Sequence, residues 1–72
     1  MKSKTRKVFD WSKYDDVCFA VLGYSSSLGW LELWRGRGDA WEAWRKYDAQ
    51  DYRNKLLLNF GAIVRQEGEV VP

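Results

Sequence analysis

The segment that most limits what this chain can become is Asp39 to Val64, DAWEAWRKYDAQDYRNKLLLNFGAIV. It opens with Asp39 followed three residues later by Glu42, a capping box that satisfies backbone N–H groups left free by a first helical turn. Ala40, Glu42, Ala43, Arg45 and Lys46 then favour helix. On a helical projection Trp41, Trp44, Tyr52, Leu56, Phe60 and Ile63 share one broad face. Arg45, Asp48, Lys55 and Asn59 interrupt it, so a single straight rod fits poorly. A break at Asp48 resolves this: Asp48 caps a second helix, with Asp51 in its first turn. Gly68 then supplies a stop.

Upstream, Ser12 with Asp15 repeats the capping signature, and Gly23 stands where a helix would end. Between them Tyr14, Val17, Cys18, Val21 and Leu22 recur at helical spacing. Val17 to Tyr24 is also an unbroken apolar run, and periodicity alone does not separate a buried strand from a buried helix. The alternative is a hairpin folded about Ser26 that pairs Phe19 with Leu33 and Val21 with Leu31. Ser25 to Ser27 form a polar break before a short helix that Gly36 ends, with Gly29 counting against it.

These signals predict an all-α fold, a compact bundle of four short helices over residues 13–22, 27–35, 40–47 and 49–66. The alternative is α+β, with a β-hairpin over 17–35 packed on C-terminal helices. Residues 1–7 read as a basic, mobile arm, 8–68 as a single domain, and 69–72 as a frayed tail.

A chain of 72 residues supports one domain. Such a domain buries only roughly 60% of its unfolded surface. Five Trp, four Tyr and three Phe are more bulk than so small an interior readily hides. Trp and Tyr are also the residues enriched in binding hot spots. The single Cys18 excludes an intrachain disulfide framework and favours a reducing compartment. No apolar run approaches the ~20 residues a membrane span needs, and no apolar segment follows the basic start as in a signal peptide. The expected location is cytoplasmic, with no membrane contact.

Charge is unevenly spread. Lys2, Lys4, Arg6 and Lys7 precede a body in which acids outnumber bases, so the net +2 describes a basic arm on a mildly acidic domain. That arm is suited to phosphate or to an acidic partner.

The chemistry-bearing residues are few. Histidine is absent, which removes the commonest general base and metal ligand. One cysteine without histidine makes no zinc set. Cys18, between Val17 and Phe19, reads as a buried thiol rather than a nucleophile. The acid pairs Asp15–Asp16 and Asp48–Asp51 are explained by helix starts. Gly36 and Gly38 match neither dinucleotide nor phosphate-loop spacing, and Asp39 would repel a phosphate there. Arg37-Gly38-Asp39 matches a cell-adhesion tripeptide, for which capping by Asp39 is the better account. No enzyme activity, cofactor or metal is expected.

Two functional readings remain. In the first, Trp30, Trp34, Trp41, Trp44 and Tyr47, rimmed by Arg35, Arg37 and Arg45, form a partner-binding surface. The protein is then a small non-enzymatic binding module, in the manner of phage or mobile-element antagonists that block a host protein by occupying its surface. The partner is another protein, or a second copy in a homodimer. In the second, helices around Gly23-Tyr24-Ser25 resemble a helix-turn-helix, giving a DNA-binding regulator. That reading is weaker, because its recognition helix would carry one arginine, at the far end.

Overall fold

The computed structural model describes residues 11–69. A 3₁₀ turn, Trp11–Tyr14, precedes strands β1 (Phe19–Ser25) and β2 (Gly29–Gly36), helix α1 (Ala40–Asp48), and strands β3 (Lys55–Asn59) and β4 (Ala62–Glu67). The strands form one antiparallel sheet in the order β2-β1-β3-β4. Two hairpins thus sit side by side, and α1 crosses from the first to the second over one sheet face.

The expected all-α bundle is not formed. Residues 13–22 and 27–35 contribute β1 and β2, and 49–66 contribute β3 and β4, so three of the four expected helices are absent. The α+β alternative is closer, since 17–35 does hold a hairpin. Its partner, however, is a second hairpin with one helix, and its register differs. Val21 faces Trp34 and Phe19 faces Gly36, because the turn lies at 26–28 and a bulge adds a residue.

The physical reason is position in the sheet. β1 and β3 are the two central strands, each covered on both faces, and such strands are apolar without alternation. Val21, Leu22, Leu56, Leu57 and Leu58 are all essentially inaccessible. On the α1 side Val21 and Leu57 pack with Ala43 and Tyr47, joined by Phe19, Leu33 and Trp34. On the opposite side Ala20, Leu22, Leu56 and Leu58 pack with Tyr14, joined by Trp11, Val17 and Trp30.

The bulge in β2 explains the unclear amphipathicity of Trp30 to Trp34. The register shift opposite Val21–Leu22 leaves Leu33 unmatched, and Leu33 and Trp34 both turn toward the helix side. Two glycines were signals of turn and close approach, not of helix. Gly23 lies inside β1, where a Cβ would stand 2.7 Å from the Tyr52 ring. Phe60 and Gly61 form the two-residue turn between β3 and β4, both at positive φ (49° and 82°), as a type I′ hairpin requires.

Helix α1 begins where its cap predicts. Asp39 Oδ1 accepts from the N–H groups of Trp41 (3.0 Å) and Glu42 (3.3 Å). Its far end is held by Lys55, which is only 4% exposed. The Lys55 ammonium donates to the carbonyls of Tyr47 (2.8 Å) and Gln50 (2.9 Å) and lies 3.8 Å from Glu67. A cation at the carbonyl end of a helix is favoured by the dipole.

Candidate functional site: the outer flank of helix α1

Helix α1 buries Ala43 and Tyr47, which are four residues apart, against the sheet. That geometry turns Trp41 outward and leaves Trp44 on the flank. Trp41 is 77% exposed and Trp44 45%. With Ala40 they line a shallow, open apolar hollow of about 260 Å³. Arg45, one turn on from Trp41, is exposed.

A residue that the sequence reading did not select completes this corner. Arg65 on β4 stacks its guanidinium 4.1 Å from the centre of the Trp44 ring and 5.0 Å from that of Tyr47. It also lies 3.5 Å from Asp48. Its place follows from register: Arg65 is paired with Leu57, whose side chain faces α1. The turn at Phe60-Gly61 alone would put Val64 opposite Leu57; a register shift beside Leu58 puts Arg65 there instead, and no short sequence signal announces it.

Tyr47 is corrected from partner-binding to core. It is fully buried, and its hydroxyl has no hydrogen-bond partner. Burial, with Glu67 next, pushes its pKa up to about 12; Arg65 opposes the shift and Asp48 adds to it.

The remaining expected residues do not join this surface. Trp34 packs against the helix-side core, its ring so close to Gly36 that a Cβ there would clash. Trp30 lies on the other side of the sheet, edge-to-face with Trp11 (5.4 Å) and Tyr24 (5.3 Å). Arg35 also belongs to that side: it is bonded to Glu32 through Nε (3.2 Å) and Nη2 (2.8 Å), and its guanidinium sits 5.6 Å from the Tyr14 ring centre. The Arg35 hydrogen bond is the main cause holding Glu32 below the usual carboxylate range. Arg37 follows β2 and, with Arg35, lines a separate open cleft. The eight expected residues are therefore divided, and only Trp41, Trp44 and Arg45 come together. The arm residues Lys2, Lys4, Arg6 and Lys7 lie outside the described residues.

Cys18 is also corrected. It is half-buried, belongs to neither core cluster, lines the same cleft, and accepts a hydrogen bond from the Gly38 N–H at 3.3 Å. The helix-turn-helix has no helices to stand on, since β1 and β2 occupy its place, and it is not carried further. Among the described residues no group of three or more His, Cys, Asp or Glu is placed to hold a metal. No helix among them is long and apolar enough to cross a membrane.

Compared with known protein families, curated proteins and solved structures, the chain matches none. Its function is argued from its own surface.

Proposed function

We propose that this protein is a non-enzymatic binding module whose contact surface is the outer flank of α1, centred on Trp41 and Trp44 and rimmed by Arg45 and Arg65. The observation that carries the reading is Trp41. A folded domain with a core still leaves this indole 77% exposed, beside a second exposed indole and an apolar hollow. Aromatic anchors with arginine at the rim are the composition of protein-binding hot spots. Trp44 is held in place by the Arg65 stack, so less side-chain entropy is lost when it is covered. The partner on this reading is another protein, in the cytoplasm, and the effect is occupation of the partner's surface as an antagonist or adaptor. A second copy of the chain is the homodimer variant.

The test is affinity capture from the source cell with the wild type and with Trp41→Ala/Trp44→Ala. The variant should lose the captured partner while its circular dichroism is unchanged. Loss of one hot-spot indole should weaken binding by roughly 2–4 kcal/mol. The homodimer variant predicts a concentration-dependent mass in sedimentation that the double substitution abolishes. Retention of both partner and mass by the double variant would defeat the proposal.

A further inference from the structure

A second concave site, lined by none of the residues of the α1 surface, lies where the segment after the 3₁₀ turn, the end of β2 and the β3–β4 turn meet. This cleft has a volume of about 580 Å³, within the roughly 300–1,000 Å³ typical of small-ligand pockets. We propose that it binds the α-carboxylate of an apolar amino acid, either free or as the last residue of a peptide. The proposal stands independently of the Trp41/Trp44 surface.

The cleft presents three kinds of group. At one wall are two arginines. Glu32 engages Nε and Nη2 of Arg35, which fixes that fork and leaves Nη1 unused by Glu32. Arg37 is exposed and has no ion pair among the described residues. A carboxylate set between them gains charge-assisted bonds. Asp16, also in the lining and near enough to act on the Arg35 charge, opposes a simple anion, but it is the acceptor that an amino acid needs for the ammonium or amide N–H beside its carboxylate. Val17 and Phe60 provide the apolar wall for a side chain.

Phe60 points to a ligand most directly. It adopts φ 49°, left-handed backbone that Asn or Gly takes readily and a bulky residue does not. Its ring is 56% exposed, so core packing does not explain the choice. Its N–H bonds the carbonyls of Val17 (3.0 Å) and Cys18 (3.3 Å), which any residue but proline would do equally well. A side chain that costs backbone strain and buries little is accounted for by what it meets in the cleft.

The experiment is an amide-resolved NMR titration of the full chain with phenylalanine, phenylalaninamide, and a short peptide ending in Phe with a free or amidated C-terminus. The acids should give saturable shifts at Cys18, Gly38 and Phe60, and the amides should not. Tighter binding of the free-ended peptide than of phenylalanine assigns a chain end as the ligand; the reverse assigns the free amino acid. Arg37→Gln should weaken binding by at least about tenfold. Phe60→Asn separates the two roles of that position: it should weaken binding while raising the thermal midpoint, because Asn relieves the backbone. The proposal is overturned by equal shifts from acid and amide, by no saturation at millimolar ligand, by unchanged binding in Arg37→Gln, or by a Phe60→Asn variant that is less stable yet binds as before.

Discussion

Tyr47 and Lys55 show how much a single buried group decides here. Tyr47 keeps a hydroxyl that no neighbour bonds, and an unsatisfied buried polar group costs about 1–3 kcal/mol. Tyr47→Phe should therefore leave the fold intact and raise its stability by roughly 1 kcal/mol in urea unfolding. The pH dependence has a definite sign. The unfolded phenol ionises near 10, whereas the folded one holds its proton until about 12. Between those values the unfolded chain has released a proton the native state retains, so stability is fully present below pH 10 and falls as pH rises through the window. Urea midpoints on either side of pH 10 should show this slope, and Tyr47→Phe should reduce it. Tyr14, also raised, by burial first and Glu32 next, accounts for slope that remains. Lys55→Met should act the other way. It strips an ammonium from the carbonyl of Tyr47, in the last turn of α1, and from that of Gln50, just beyond the helix, so a loss of about 1–3 kcal/mol is expected in the same assay.

At the scale of elements, the helix and the hairpins are held by different means. Helix α1 depends on its ends: Asp39→Ala should cost about 1 kcal/mol by removing the two bonds at its start. That loss should appear in amide exchange as faster opening of Trp41 and Glu42 before the sheet is affected. The β3–β4 hairpin depends on its turn. Gly61 sits at φ 82°, backbone that a β-branched residue does not adopt, and a Cβ there would also have to displace the Asp15 carboxylate. Gly61→Val should therefore disrupt the hairpin's register and lower the thermal midpoint, and it should displace Arg65 from Trp44. The loss of that stack would be visible as a change in the Trp44 side-chain resonances.

The whole molecule is a sheet with a core on each face, and the face under α1 shows what the fold needs and what it leaves free. Leu57→Ala opens a cavity beneath α1 and should cost about 2–5 kcal/mol in thermal or urea unfolding. Trp41→Ala, on the solvent side of the same helix, should change stability by under about 0.5 kcal/mol. That contrast separates surface available for a partner from surface the fold needs. It also marks what was legible in the residues alone. The Asp39 cap placed α1 because capping is local: donors and acceptor lie within one turn. The aromatic excess was legible because it follows from volume and chain length. The strands were not, because Val17–Tyr24 and Lys55–Asn59 are central in the sheet and lack the alternation that only a one-sided strand displays. Gly23 misled for a related reason: it stands inside a strand and answers to the Tyr52 ring, not to the end of a helix. Which indoles stay outside was decided by tertiary structure, since Trp34 was drawn inward by a bulge in β2. Arg65 reached Trp44 only because pairing with Leu57 set its side of the sheet, and such long-range register is not encoded in any short stretch of the chain.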